Sequence, residues 1–368
     1  MGASRGEILV LGGGIIGCAL AEELARRGRR VTVVERGRIG AEASSAAAGI
    51  LSSRMDVPSP GPMFDFCQAA RRLYPRWVAR LEQRSGIDTG YHKDGILYLA
   101  MREAEERTMA DRAAWQRRLG LPVERWSRGD VRRREPAVDG SVRSGFYFPG
   151  EAQIDNAILM RALATACRKS GVRLMERTEA RRLRLRGRTV RGVETSRGAL
   201  TAPVVVNCLG SWAGAPQGLR RLPVEPARGQ ILVFKGPKRL FRHAVMSERA
   251  YVVQRRDGRL LVGSTVERAG FEKALTLEGI RKILCGIRDM TSVLERSTFV
   301  EGWAGFRPLT PDRLPIIGRT GIEGLYVATG HFRHGILLAP VTASAMADLI
   351  LTGRSSFDLT AFTPARFS

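Results

Sequence analysis

Apolar positions along the chain come in two rhythms. The runs over 7–11 (Glu-Ile-Leu-Val-Leu) and 31–35 (Val-Thr-Val-Val-Glu) are short and nearly continuous, the pattern of buried strands. Between them, 15–28 is rich in Ala and Leu and stops at Gly28, which predicts a helix and with it a βαβ unit. Helical spacing returns over 63–85, with a kink expected at Pro75, and over 101–120, ending near Gly120. Beyond a turn-rich stretch around Pro149-Gly150, a helix is expected over 155–170, with Asp155 or Asn156 as N-cap. Short strands follow over 172–176, 181–186, 189–196 and 203–209, and 223–266 reads mostly as strand. Within it Arg256-Asp257-Gly258 joins 250–255 to 259–265, a strong hairpin signal. A helix over 276–289, strands over 298–305 and 325–329, and a helix over 336–352 ending at Gly353 complete the pattern. Parallel βαβ patterns at both ends and a strand-rich middle predict an α/β fold. In it a Rossmann-type domain (1–85, 145–220 and 305–368) is interleaved with an antiparallel-sheet domain (86–144 and 221–304).

Composition narrows the class. With 368 residues, 44% apolar and 26% charged, the chain suits a globular protein of about two domains. No stretch reaches the roughly 18 uncharged apolar residues of a spanning helix. The run Ile8–Ala21 is broken by three glycines and ends in Glu22-Glu23, so it reads as strand, turn and helix rather than as a signal peptide. Five cysteines (Cys18, Cys67, Cys167, Cys208, Cys285) are widely spaced without Cys-x-x-Cys, so neither a disulfide framework nor a cysteine zinc site is expected. Cys18, Cys167 and Cys208 lie in apolar patterns and read as small core residues, and a reduced, cytoplasmic protein is expected. Sixty basic against 36 acidic residues give +24, and only six of the basic residues are Lys. The arginines scatter in pairs without a tail or interleaved aromatics, so solvated faces are expected, and no specific nucleic acid.

The chemistry concentrates in a few segments. Gly12-Gly13-Gly14-Ile15-Ile16-Gly17 contains G-x-G-x-x-G between a strand and a helix, with Glu35 at the end of the next strand. There Gly12 permits the turn, Gly14 admits a pyrophosphate, and Gly17 lets helix and strand pack closely. Glu35 is placed to accept hydrogen bonds from ribose hydroxyls. The motif alone does not separate FAD from NAD. Ser44-Ser45-Ala46-Ala47-Ala48-Gly49-Ile50-Leu51 is too rich in small residues to build a core and suits a loop against a large planar ligand. The turn Gly330–Gly335 ahead of an apolar helix stabilises negative charge. His331 and His334 lie in it, but with four histidines in the chain and no Cys or carboxylate cluster nearby, no metal is expected. Arg307 sits between Phe306 and Pro308 in a strand pattern, and a buried arginine needs an anion: a substrate carboxylate or an internal Asp or Glu. Tyr251 reads equally as an ordinary sheet aromatic. Gly210-Ser211-Trp212-Ala213-Gly214 is not a G-x-S-x-G nucleophile elbow.

These motifs form a longer series with Val204–Gly214, Tyr251–Arg255, Gly258–Gly263, Trp303–Pro308, Asp312 with Pro315–Gly318, and Gly330–Pro340. Over nearly the whole chain the series resembles the glycine oxidases of the D-amino-acid oxidase superfamily of flavoproteins. The resemblance makes the two domains FAD-binding and substrate-binding. It implies that FAD is held by Gly12, Gly14, Ile15, Ile16, Gly17, Glu35, Arg36, Ser44, Ser45, Ala48, Gly49 and Ile50, and by the turn His331, Phe332, Arg333, His334, Gly335, Ile336 and Leu337. The FAD is expected to be non-covalent, because relatives with a cysteine thioether carry it near the carboxylate-binding arginine and this chain has no Cys after Cys285. The implied catalytic set is Arg307 on the substrate carboxylate, Tyr251 giving its hydroxyl to the same group, and Arg333 lining the pocket.

The implied reaction is hydride transfer from glycine or another small or D-amino acid to flavin. Oxygen returns the flavin to its oxidised form with release of hydrogen peroxide, and the imine hydrolyses to oxo acid and ammonia. In thiamine-making organisms that imine feeds thiazole assembly. The alternative is a dehydrogenase of the same fold that passes electrons to a membrane quinone or a protein partner; a homo-oligomer is left open. The chain departs from the pattern at His334, where glycine oxidases have Asn, and at Arg249 and Ala250, where His and Cys are common. It also has Val266 where a relative has Met near the substrate; Val266 and His334 are expected to limit substrate size.

Overall fold

Ile8–Leu11 lies at the centre of a six-stranded sheet in a computed structural model that describes residues 6–219 and 222–367. The strand order is Ile316–Arg319, Leu325–Thr329, Val204–Asn207, Ile8–Leu11, Val31–Val34, Arg173–Met175. Neighbours run parallel except Ile316–Arg319, which is antiparallel to Leu325–Thr329. The central strands are apolar at nearly every position because both faces are covered. Alternation divides the work: Ile8 and Val10 join the core of the helices Ile15–Arg26, Pro62–Ser85, Asn156–Lys169 and Gly335–Thr352. Leu9 and Leu11 face the other way and pack on Leu183, Val190 and Val193 of a three-stranded antiparallel sheet (Ala180–Arg186, Thr189–Thr195, Gly198–Thr201).

The helices start and stop where local chemistry dictates. Asp155 caps Asn156–Lys169 by accepting from the backbone N–H groups of Ala157 and Ile158, which frees the Asn156 side chain for another task. Pro62–Ser85 has proline in its first turn, runs as one helix through Pro75, and ends at Gly86 in the left-handed region. Gly335–Thr352 is long and apolar enough to cross a membrane by length and composition, but 61% of that window is buried inside the protein. It packs against Ile15–Arg26 and Pro62–Ser85 and ends at Gly353, φ +82°.

A second sheet of eight strands runs in the order Thr298–Leu309, Glu225–Lys235, Arg259–Gly263, Tyr251–Gln254, Ala244–Met246, Ile96–Ala100, Ser144–Phe148, Glu124–Ser127. It is mixed rather than purely antiparallel, because Ala244–Met246 pairs in parallel with Ile96–Ala100. The hairpin forms at Arg256-Asp257-Gly258, where Asp257 accepts from Arg259 N (3.0 Å) and Gly258 takes φ +92°. Ile96–Ala100, Glu124–Ser127, Ser144–Phe148, Ile316–Arg319 and the helix Arg128–Arg134 were not apparent in the sequence pattern. Ser144–Phe148 belongs to this sheet, and Thr298–Leu309 continues in it past 305, so the domain seams expected at 145 and 305 fall within strands. A long cleft separates the two sheets' ends and is bordered by residues from both.

Candidate active site

At the end of Ile8–Leu11 the backbone turns at Gly12, φ +102°. A Cβ there would lie 2.5 Å from the Cys208 carbonyl oxygen, and one on Gly17 would lie 2.0 Å from that of Gly12, so only glycine fits either place. Gly14 occupies the N-cap of Ile15–Arg26 and has no side chain to cap with. Ser44 Oγ takes over, accepting from Ile15 N at 2.9 Å. The N-terminus of this helix, the positive end of its dipole, borders the cleft and suits a pyrophosphate. Glu35 is fixed nearby, its two oxygens accepting from Gly13 N (2.8 Å) and Gly37 N (2.7 Å). Arg36 lies over the Trp212 ring at 3.8 Å.

The small-residue loop is clamped from below. Gly49 takes φ +71°, and a Cβ on it would lie 1.9 Å from the Ile154 carbonyl oxygen. Buried Arg255 donates to the carbonyl oxygens of Ile154 (2.7 Å) and Ala48 (2.8 Å) and to Asn156 Oδ1 (3.2 Å). Burial lowers its pKa to about 10. Asn156 Nδ2 in turn donates to the carbonyl oxygens of Ser44 and Ser45, each at 2.8 Å.

The turn after Leu325–Thr329 forms another wall of the cleft. His331 is buried against Thr342 Oγ1 (3.1 Å), and burial pushes its pKa down to about 3. His334, N-cap of Gly335–Thr352, is buried at 9% exposure, and burial lowers its pKa as well. Neither of its ring nitrogens has a hydrogen-bond partner among the described residues. Such orphaned groups are costly, and this one borders the cleft, so a bound group there would satisfy it. Together with the glycine cradle and the open helix N-terminus, it makes the cleft fit for FAD.

The second sheet supplies the remaining wall. The Arg307 guanidinium is held by donation to the Thr265 carbonyl oxygen (3.0 Å) and to Ser264 Oγ (2.8 Å). It lies so close over the neighbouring strand that a Cβ on Gly229 would stand 2.2 Å from Nη1. Among the described residues no carboxylate lies within 4 Å of it. Other arginines show what a structural role looks like: Arg54, fully buried, pairs with Glu151 at 2.7 Å, and Arg228 with Glu267 at 2.7 Å. Burial pushes the Tyr251 phenol upward, opposed by Arg307, by a hydrogen bond with Ser264 and by Arg333, so these groups converge. Arg333 is 44% exposed and meets Asp56 only at 3.9 Å.

Nearly every residue expected at the site borders this one cleft: Gly12, Gly14, Ile15, Ile16, Glu35, Arg36, Ser44, Ala48, Gly49, Ile50, Tyr251, Arg307 and the whole turn from His331 to Leu337. Gly17 and Ser45 do not. Gly17 serves helix–strand packing, and Ser45 offers its carbonyl to Asn156. Val266, expected to limit substrate size, is 47% exposed and does not border the cleft; it lines a neighbouring depression with Lys282. The sequence reading missed Asp56, Gly229 and Ser264. Asp56 lies in a proline-rich loop without periodicity, and only the fold reveals Gly229, which pairs with Gly305 and so lies diagonally across from Arg307, under its guanidinium.

Comparison with known proteins agrees with this geometry. Residues 7–349 match the family described as FAD dependent oxidoreductase. A glycine oxidase of Geobacillus kaustophilus is 33% identical over 368 residues, covering 98% of this chain and 97% of that protein. The crystal structure of glycine oxidase from the same organism superposes with a TM-score of 0.94 at 32% identity, over 99% of both chains. A bifunctional protein ThiO/ThiG of Synechocystis is 36% identical over 98% of this chain and 54% of its own length. The chain thus spans about half the length of the bifunctional relatives it matches. Carrying the family's match over almost its whole length and a cleft built to its cofactor, the chain belongs to the FAD dependent oxidoreductases.

Proposed function

We propose that this protein oxidises glycine or another small or D-amino acid, with FAD lying along the cleft. The observation that carries the reading is Arg307: a guanidinium fixed by Ser264, Thr265 and Gly229, beside Tyr251, with no carboxylate to pair with among the described residues. A substrate carboxylate supplies the missing anion and takes both prongs of the fork. Tyr251, kept protonated by burial, donates its hydroxyl to the same carboxylate. These two contacts aim one α-carbon hydrogen, so glycine and D-amino acids fit and bulky L-amino acids do not. Arg333 lines the mouth of the pocket. Gly12, Gly14 and the Ile15–Arg26 N-terminus would hold the pyrophosphate, and Glu35 the ribose. His334 and the first N–H groups of Gly335–Thr352, which border the cleft, would favour negative charge on a flavin held there.

When bound, FAD supplies the hydride acceptor, and oxygen regenerates it with release of hydrogen peroxide. The amine need only be neutral and positioned, so no side chain is assigned as general base. The imine then hydrolyses to oxo acid and ammonia. The glycine oxidase and ThiO/ThiG likenesses support a small amino acid as substrate and a role in thiamine biosynthesis. Free thiols at all five cysteines support a reducing, cytoplasmic setting. We also keep the division into FAD-binding and substrate-binding domains as the working one, with the two sheets as their cores. Adding glycine without oxygen is expected to bleach the flavin, and admitting air to restore the colour with peroxide release. A flavin that none of glycine, sarcosine or D-alanine bleaches removes the small-amino-acid assignment. Equal rates with D- and L-alanine remove the proposed pocket geometry.

A further inference from the structure

The segment 264–276 leaves the eight-stranded sheet at Arg307 and returns at the Leu277–Arg288 helix, and its course does more than connect them. Its root is fixed. Ser264 and Thr265 accept from Arg307, Arg228 pairs with Glu267, and Arg228 Nη1 donates to the Glu272 carbonyl oxygen at 3.1 Å. Its tip reaches over to the other half of the molecule. Phe271, half exposed, stacks on Trp212 with ring centroids 5.0 Å apart and planes 23° from parallel, and meets Phe306 edge-on at 5.6 Å. Lys273 Nζ donates to Glu42 Oε2 at 2.8 Å. Glu42 also meets Arg36 at 3.3 Å, and Arg36 covers the Trp212 ring. Arg36, Glu42, Phe271 and Lys273 thus form one connected set of contacts about a single indole.

Arg36, Glu42 and Trp212 border the cleft, immediately beyond Glu35, the carboxylate assigned to the ribose. With Phe271 stacked on the indole and Arg36 lying over it, the guanidinium backed by the indole is the flat group left to face a flat purine. Without Phe271 and Lys273 the indole would keep only Phe306, edge-on at 5.9 Å, and Arg36, so binding would bear more of the entropy of fixing the pair. We propose that Phe271 and Lys273 form a clasp that pre-orders Trp212 and Arg36 as the wall for the adenosine end of FAD and so governs cofactor retention. This rests on the cleft holding FAD as above.

The test is titration of the apoprotein with FAD, with ADP (the adenosine end alone) and with FMN (the flavin end alone), in wild type, Phe271→Ala and Lys273→Met. Each substitution is expected to weaken FAD and ADP by roughly fivefold, the worth of one aromatic or charge-assisted contact, with the FAD dissociation rate rising in proportion. FMN affinity is expected to stay unchanged. If FMN weakens as much as FAD, the substitutions act through general damage and the clasp is overturned. It is equally overturned if FAD and ADP bind both variants as tightly as wild type. A wild-type apoprotein that binds no FAD removes the cofactor assignment itself along with the clasp, and only that outcome touches the former.

Discussion

Arg307 is defined as much by what surrounds it as by its own charge. Its fork is held by two oxygen acceptors and by the absence of a side chain at Gly229. Arg307→Lys keeps the charge but loses the planar pair of donors, and is expected to raise KM for glycine roughly ten- to a hundredfold with FAD still bound. Gly229→Ala leaves Arg307 in place yet drives a Cβ into it, and is expected to raise KM in the same direction; steady-state kinetics of the two variants check both. An unchanged KM in Arg307→Lys sinks the assignment. His331 gives a pH prediction. Its pKa is 6.5 when unfolded and about 3 in the fold, so between those values the unfolded chain binds more protons and stability rises with pH. The fold therefore loses stability progressively as pH falls below 6.5, and this loss levels off near 3. His331→Gln is expected to flatten this limb relative to wild type in urea melts at pH 7, 5 and 4, while parallel pH dependences contradict it. Arg307 was legible in sequence because a charge stood between Phe306 and Pro308 in a strand pattern. Asp56 and Gly229 were not, since their roles arise only from chain segments brought together by folding.

Elements with strong periodicity or a diagnostic turn were readable: the six helices of twelve residues or more among the described residues, the βαβ start and the Asp-Gly hairpin. Ile96–Ala100 carries the same short apolar signal as Ile8–Leu11, behind the turn pair Asp94-Gly95, but five residues give no period to tell a strand from the start of the helical pattern that follows. Glu124–Ser127 escaped because it is an edge strand with only Trp126 buried. The cap of Ile15–Arg26 was beyond local reading altogether, since its donor and acceptor lie 29 residues apart. Adjacent serines separate the effect. Ser44→Ala removes that cap and is expected to cost about 1 kcal/mol of apoprotein stability and to weaken FAD, whereas Ser45→Ala is expected to do neither. Thermal melts and FAD titrations of the pair check this, and equal behaviour of the two serines contradicts it.

At the scale of the whole molecule, the attachment of the cofactor follows from where the thiols lie. Cys208 borders the cleft, but burial raises its pKa, so the unreactive thiol form persists. Cys285 is exposed on Leu277–Arg288 and does not border the cleft. Acid precipitation is therefore expected to leave FAD in the supernatant, and yellow colour retained in the washed pellet contradicts it. The order of strands also bears on how the protein is made. Val204–Asn207 gains its outer neighbour only when Leu325–Thr329 has been synthesised, and the helix that covers Ile15–Arg26 follows later still. A ribosome-bound chain thus carries an open sheet edge for more than a hundred residues of synthesis, a stretch in which pairing with other chains is the hazard. Cofactor capture must then wait for the histidine turn, which is synthesised more than 300 residues after the glycine turn.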